Sequence, residues 1–152
     1  MDNKDTKDAK VTFFEPHGRV SYSLVENSVV VYKATGPFNL ELLQTLKNVE
    51  EDDIKKVMQR GESIGIIVAF EKSCSATNEF FEQFTRYLQT LKNSGLEKLI
   101  SAYVFPNEIE CAPLMIERYK HCYQVAGFFL STFTEYDQAL AWVKAELAKT
   151  NL

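Results

Sequence analysis

The spacing of apolar residues predicts strands and helices in alternation along most of the chain. Apolar and polar residues alternate from Val20 to Leu24, which is the pattern of a half-buried strand. A β-branched run from Val29 to Ala34 follows after the short break Glu26-Asn27-Ser28. Two strands with so short a join are typical of an antiparallel hairpin. An apolar run from Val11 to Phe14 predicts one further strand ahead of this hairpin.

Three later apolar runs predict the remaining strands of the sheet. They extend from Ile64 to Phe70, from Leu99 to Phe105 and from Phe128 to Phe133. The first of them has no polar alternation, so both of its faces are expected to be buried. Strands of this kind are typical of a parallel sheet covered by helices.

Apolar residues at three- and four-residue spacing predict helices between these strands. The stripe that begins at Leu42 and continues to Met58 fits one long helix or two shorter ones, with Gly61 at the end. Weaker stripes run from about Pro113 to Tyr123 and from Leu140 to Leu147. These patterns predict helices after the hairpin and before and after the last strand.

The clearest helical stripe in the chain runs from Phe80 to Leu91. Thr77 or Asn78 precedes it in the position of an N-cap, and Gly95 follows it in the position of a C-terminal glycine. The helix is therefore expected to start directly after a hydroxyl-rich loop.

The order of elements predicts an α/β fold with a mixed central sheet, parallel beyond a leading hairpin, and about four helices. The pattern leaves open which faces of the sheet the helices cover. A length of 152 residues fits one domain, which we assign to residues 11–152. Residues 1–10 are polar and charged, and we expect them to form a flexible N-terminal segment.

Charge and composition narrow the function classes. A net charge of −4 argues against non-specific nucleic-acid binding, which needs a basic surface. The dense acidic run Glu50-Glu51-Asp52-Asp53 is interpreted as a solvated helix face rather than a metal or partner site. No run approaches the roughly 20 apolar residues of a membrane helix, and no secretory signal is recognisable. Three cysteines without paired spacing indicate a reducing compartment, so we expect a cytoplasmic protein.

Two motifs give the chain a resemblance to a known family. Gly36-Pro37-Phe38-Asn39 stands at a helix start directly after the hairpin. Near the C-terminus, Phe133 is followed, further along the chain, by the segment Ala139-Leu140-Ala141-Trp142. Together with the element order, these motifs resemble the STAS/SEC14-like (SpoIIAA-like) domain family, in its uncharacterised bacterial branch. The resemblance covers roughly residues 20–147.

This resemblance implies a non-enzymatic module that binds a partner protein and is switched by phosphorylation of a serine before the second helix. The corresponding stretch here is loop 73–78, whose candidate binding or phosphorylation residues are Ser73, Cys74, Ser75, Thr77 and Asn78. No aspartate precedes these serines and no glycine follows them, which departs from the family pattern.

Loop 73–78 is also a candidate on physical grounds, since it leaves the carboxyl end of a buried strand and opens a helix. Unpaired N–H groups and the helix dipole favour an anion at such a place. Alternatively, the same residue types cap a helix and fill a turn. Cys74 could become a nucleophile there, although a buried thiol is the plainer interpretation, and neither His17 nor His121 has a catalytic context.

We predict no metal and no cofactor. Cys111, His121 and Cys122 form the one Cys/His grouping, and on a single helix the two cysteines would lie ~16 Å apart, too far for one metal ion. The leading hypothesis is a non-enzymatic, STAS-like binding or regulatory module with a protein partner. The alternative is a carrier of a small apolar or anionic ligand, and a cysteine-dependent enzyme ranks third. Pairing of an edge strand could also give a homodimer.

Overall fold

The structure, a computed structural model, describes residues 3–8, 16–25, 28–60, 63–94, 96, 98–111 and 113–150. Its strands are β1 (Lys4–Asp5), β2 (Arg19–Val25), β3 (Val29–Thr35), β4 (Ile64–Glu71), β5 (Leu99–Val104) and β6 (Leu130–Phe133). Its helices are α1 (Leu40–Arg60), α2 (Asn78–Lys92), α3 (Pro113–Ala126) and α4 (Tyr136–Thr150), with a 3-10 turn at Thr6–Asp8.

The strands form a single six-stranded sheet in the order in which they occur along the chain. Strands β1, β2 and β3 pair antiparallel, whereas β3 to β6 pair parallel. The predicted hairpin is confirmed as β2 and β3, with Tyr22 opposite Tyr32. The α/β fold class, with a mixed sheet and four helices, is therefore confirmed.

The helices cover the two faces of the sheet unequally. Helices α1, α2 and α3 pack on one face, where Ile66 and Val68 of β4 point, and α4 packs on the other face against Ile67. Parallel strands that advance in one direction through right-handed crossovers place all their crossover helices on one face. Helix α4 follows the last strand, so it makes no crossover and covers the opposite face.

Two boundaries depend on local structure that periodicity does not reveal. The stripe from Leu42 to Met58 belongs to one helix, α1, whose sequence contains neither glycine nor proline. Strand β6 begins at Leu130 rather than at Phe128, because Phe128 takes part in the cap that follows α3. Gly127 has a φ of +86°, and the N–H of Phe128 donates to the Tyr123 carbonyl at 2.9 Å, as in a Schellman cap.

The N-terminal segment carries a strand that the sequence analysis did not anticipate. Asp5 accepts hydrogen bonds from the side chain of Arg19, and Thr6 Oγ1 accepts one from the N–H of Val20 at 3.0 Å. These contacts attach β1 to the edge of the hairpin. The strand predicted from Val11 to Phe14, the break at Glu26-Asn27 and the terminal glycines Gly61 and Gly95 lie outside the described residues.

Candidate functional site

Loop 73–78 joins the carboxyl end of β4 to the start of α2, as expected. Its five candidate residues differ widely in accessibility. Ser73 and Cys74 are 5% and 0% exposed, Ser75 is half-buried, and Thr77 and Asn78 are exposed. The two residues nearest to β4 therefore belong to the core, and the two nearest to α2 belong to the surface.

Most of the loop's backbone N–H groups already have acceptors within the protein. Four of them donate as follows: Ser73 to the Glu71 carbonyl at 2.7 Å, Cys74 to the Glu110 carbonyl at 3.2 Å, Ser75 to Ser73 Oγ at 3.1 Å, and Thr77 to the Phe38 carbonyl at 3.2 Å. The expected anion site rested on unpaired N–H groups, and these four are paired.

The loop packs against the start of α1, so the structure brings together two motifs that are far apart in the sequence. The N–H of Gly36 donates to the Ser73 carbonyl at 3.1 Å, and the N–H of Phe38 donates to the Ser75 carbonyl at 2.8 Å. A Cβ atom on Gly36 would overlap the carbonyl oxygen of Ser73. Glycine is therefore required here by the close approach of two backbone segments.

A disulfide joins Cys74 to Cys111, which corrects the expectation of cysteines without a partner. The Cα atoms lie 5.2 Å apart, within the range of ordinary disulfides. The N–H of Glu110 donates to the Lys72 carbonyl at 2.8 Å, and this pairing brings the two cysteines together. The 37 residues between them hide the relationship from any analysis of local spacing.

The disulfide also changes the interpretation of the other cysteine chemistry. Cys74 is bonded and fully buried, so in this form it offers no thiolate for nucleophilic attack. Cys111 precedes α3 and therefore does not share a helix with His121 and Cys122. Cys122 is a buried free thiol, and burial raises its pKa. In the described part of the chain, no group of three or more His, Cys, Asp or Glu residues could hold a metal ion.

Thr77 and Asn78 each make a defined structural contact. The hydroxyl oxygen of Thr77 accepts a hydrogen bond from the N–H of Phe80 at 3.2 Å, which makes Thr77 the N-cap of α2. The side-chain oxygen of Asn78 accepts one from Arg118 of α3 at 2.6 Å. The Arg118 guanidinium also lies 4.3 Å from the ring centroid of Phe81. These contacts join α2 to α3 beside the loop.

The acidic run in α1 is only partly a solvated face. Glu51 and Asp52 are exposed, as expected, but Glu50 is 3% exposed. Asp53 is half-buried and accepts a hydrogen bond from the Tyr22 hydroxyl at 2.6 Å. Positions three apart on a helix share a face, so Glu50 and Asp53 point toward the sheet together. The interpretation of the whole run as solvated is therefore wrong for Glu50.

The Glu50 carboxyl group is held between two tyrosines from different elements. The hydroxyl of Tyr32 on β3 donates to Oε2 at 2.7 Å, and the hydroxyl of Tyr87 on α2 donates to Oε1 at 2.8 Å. Burial raises the pKa of Glu50 to about 7, the two hydrogen bonds partly oppose this rise, and the charge of Asp53 adds to it. Glu50 therefore titrates near neutral pH.

Glu50 lines an interior cavity of about 100 Å³ between the sheet and helices α1, α2 and α3. Apart from this carboxyl group and the hydroxyls of five tyrosines, the lining is apolar. Large rings form much of the wall: Phe38, Phe70, Phe80, Phe84, Tyr103 and Tyr119. The result is a cavity with largely aromatic and aliphatic walls and one carboxyl group in its lining.

The cavity wall also contacts loop 73–78. The hydroxyl of Tyr119 on α3 donates to the carbonyl oxygen of Cys74 at 2.7 Å. Further along the wall, the hydroxyl of Tyr123 contacts Ser101 Oγ at 3.1 Å and the Tyr103 hydroxyl at 3.2 Å. Burial raises the pKa values of these three tyrosines, so they remain protonated donors.

A wider and more open groove of about 790 Å³ lies at the carboxyl ends of β4 and β5, beside Lys72. Its acidic groups, among them Glu71, Glu108 and Asp137, are exposed side chains. This is the position where parallel sheets commonly bind ligands. The groove nevertheless offers no buried polar group to orient one, because its charged side chains all lie at the surface.

Glu50 was missed by the sequence analysis although a signal for it exists. It follows Leu43 by seven positions and Leu46 by four, and it precedes Ile54 by four. An acid in the apolar stripe of an amphipathic helix is expected to be buried. The acidic neighbours Glu51 and Asp52 masked this signal by giving the segment the appearance of a charge run.

No family model, no curated protein and no solved structure matches the chain. The resemblance to STAS/SEC14-like domains therefore remains a prediction from two motifs and the element order. None of the described helices has the length and apolar character needed to cross a membrane.

Proposed function

We propose that this chain is a non-catalytic binding protein that holds a small, largely apolar molecule in its interior cavity. The observation that carries the proposal is the complete burial of the Glu50 carboxyl group in the lining of a largely apolar cavity. A ligand in this enclosure would contact aromatic side chains over most of its surface and one acid at its polar end.

Two physical arguments support a ligand rather than a packing defect. Protein interiors pack as densely as organic crystals, so voids larger than a water molecule are few. Burial of a carboxyl group costs free energy that hydrogen bonds from Tyr32 and Tyr87 offset only in part, since the pKa of Glu50 stays raised. Ionisable groups perturbed in this way cluster at functional sites.

Partial exposure of some lining residues indicates where a ligand enters. Ile66 and Val68 lie in the central strand β4, yet they are only half-buried, because they face the cavity. Leu46 and Ile54 of α1, and Phe84 of α2, also line it and are half-buried. The gap between α1 and α2 is therefore the proposed entrance.

The arrangement favours binding over catalysis. A carboxyl group that titrates near pH 7 could act as a general base. However, the hydroxyls of Tyr32 and Tyr87 donate to Glu50 itself, so neither is free to stabilise charge that develops on a substrate. Among the described residues that line the cavity, there is no serine, cysteine, lysine or histidine to serve as a nucleophile.

A cavity-filling variant tests the proposal. Benzene fits an engineered apolar cavity of about 150 Å³, so it is a suitable neutral probe. We expect benzene to raise the melting temperature of the native protein in a saturable way, and Val68→Phe to abolish that effect. Val125→Phe makes the same change at an exposed position of α3 and should leave the effect intact. Absence of any saturable shift with the native protein would contradict the proposal.

A second candidate is the binding or regulatory module that the family resemblance implies. The observation that favours it is the exposure of Thr77 at the start of α2, next to the half-buried Ser75. Phosphopeptide mapping of the protein isolated from its own cells should then find phosphate on Thr77 or Ser75 and not on the buried Ser73. Absence of phosphate at these positions would contradict the proposed phosphorylation switch.

A further inference from the structure

We propose that the molecule held in the cavity is a small organic cation, a primary alkylammonium ion whose nitrogen contacts the Glu50 carboxylate. This inference rests on the proposed function, and it identifies the chemical class of the ligand for that same site. It differs from the ligands that the sequence left open: the alkyl chain is apolar, but the head group is a cation rather than an anion.

The first argument is charge. Among the described residues that line the cavity, Glu50 alone carries a formal charge when it is ionised, and no lysine, arginine or histidine is among them. Asp53, three positions further along α1, also carries a negative charge and raises the pKa of Glu50. The one cation found near this cluster, Lys47, lies 5.5 Å from the ring centroid of Tyr87 and forms no ion pair with Glu50 among the described residues. The site is thus electrically complementary to a cation and repels an anion.

The second argument is the balance of hydrogen-bond donors and acceptors. Tyr32 and Tyr87 each donate their single hydroxyl proton to a different oxygen of Glu50. An ionised carboxylate has about four lone-pair positions, so each oxygen keeps one for another donor. The polar end of the cavity therefore offers acceptors and no spare donor from these three residues. An ammonium group, with three N–H donors and no acceptor, matches that end, whereas a carboxylate ligand does not.

The third argument is the aromatic character of the cavity wall. The rings of Phe80, Phe84 and Tyr119 line the enclosure, and the negative faces of aromatic rings attract organic cations. Their apolar surface also accommodates an alkyl chain. A four-carbon chain with its nitrogen has about five non-hydrogen atoms, one fewer than benzene, so it is a probe of suitable size for the same cavity of about 100 Å³.

Three ligands with the same chain and different head groups test the inference: butylamine, butanol and butyrate. At about pH 8 the amine is protonated and the acid is ionised. Each is titrated into the native protein, and the dissociation constant is measured from NMR chemical-shift changes. We expect butylamine to bind at least about tenfold more tightly than butanol, since one charge-assisted hydrogen bond supplies that factor, and butyrate to give no saturable change.

The variants Glu50→Gln and Glu51→Gln complete the test. We expect Glu50→Gln to weaken butylamine binding about tenfold or more while it leaves butanol binding nearly unchanged, and Glu51→Gln, at the exposed neighbour, to alter neither. The ranking of the three ligands with the native protein decides the inference even if Glu50→Gln fails to fold. If butanol or butyrate binds as tightly as butylamine, the inference of a cationic ligand is wrong, while the proposed binding function stands. If none of the three binds and benzene fails as well, both proposals fall.

Discussion

The hydroxyl of Tyr87 on α2 donates a hydrogen bond of 2.8 Å to Oε1 of Glu50 on α1, across the proposed entrance of the cavity. The acid therefore serves as an acceptor for a donor on the neighbouring helix. Tyr32 completes the arrangement from the sheet at 2.7 Å. The protonation state of one side chain therefore bears on the stability of three elements at once.

Glu50 should give the protein a characteristic dependence of stability on pH. Its pKa is about 7 in the folded chain, against an ordinary value of 4.5. Between these two values the folded state binds the proton and the unfolded state does not, so stability falls as pH rises through this window. Below about pH 4.5 the contribution of protonated Glu50 to the stability of the fold is fully present, and above about pH 7 this contribution is lost.

We expect the free energy of unfolding of the native protein to fall by about 3 kcal/mol across this window relative to Glu50→Gln, which cannot ionise. Urea unfolding at several pH values measures the difference. Glu51→Gln, one residue away and exposed, should follow the native curve, so it is the matched control for the loss of one carboxyl group. Parallel curves for the native protein and Glu50→Gln would show that Glu50 does not titrate near neutrality.

Removal of one tyrosine hydroxyl should destabilise the protein in a pH-dependent way. Tyr87→Phe leaves an oxygen of Glu50 without its donor, which costs about 1–3 kcal/mol when that acid is ionised. At about pH 5 Glu50 is protonated and the loss should be smaller. Unfolding curves at about pH 5 and pH 8 give the comparison.

A double-mutant cycle assigns this loss to the pair. In the Glu50→Gln background, Tyr87→Phe should cost less at about pH 8 than in the native background, because no carboxylate remains to be left unpaired. An equal cost in both backgrounds would mean that the Tyr87 hydroxyl stabilises the fold independently of Glu50.

Local periodicity was sufficient to predict the fold class, but not strand β1 or the buried acid in α1. The uninterrupted apolar run of β4 correctly indicated a strand covered by helices on both faces, since side chains on both sides of such a strand are apolar. The burial of Glu50 in α1, by contrast, changes the sequence pattern at one position only. Four consecutive acids satisfied the pattern of a solvated face, and one position of the helical period separates the exposed Asp52 from the inward Asp53.

The pairing of Cys74 with Cys111 was unpredictable for a different reason. It depends on the alignment of the chain after β4 with the segment after β5, which the parallel sheet sets and local spacing does not. The number of residues between the two cysteines does not indicate the pairing either, because a crossover helix lies between them in the sequence. Sequence located loop 73–78 correctly, yet its tight backbone pairing became visible only with the neighbouring segments in place.

Reduction of the disulfide should destabilise the protein. A bridge across 37 residues restricts the unfolded chain, and the loop-entropy relation gives about 4 kcal/mol for a loop of that length. We expect dithiothreitol to lower the urea midpoint of the native protein and to leave that of the double variant Cys74→Ala/Cys111→Ala unchanged. Thiol titration in denaturant should find one free group before reduction, which is Cys122, and three after it. Three free thiols before reduction would contradict the bridge.

The structural role of Thr77 can be separated from any signalling role by two variants on the same helix. Thr77→Ala removes the oxygen that caps the N–H of Phe80, so it should cost about 1 kcal/mol of unfolding free energy. Thr77→Ser keeps that oxygen and should restore most of the loss. Thr90→Ala makes the same change at an exposed position in the last turns of α2 and should stay within about 0.5 kcal/mol of the native value. If Thr77→Ala is as neutral as Thr90→Ala, the hydroxyl is not needed as a cap, and its exposure at the start of α2 would then favour modification or partner binding.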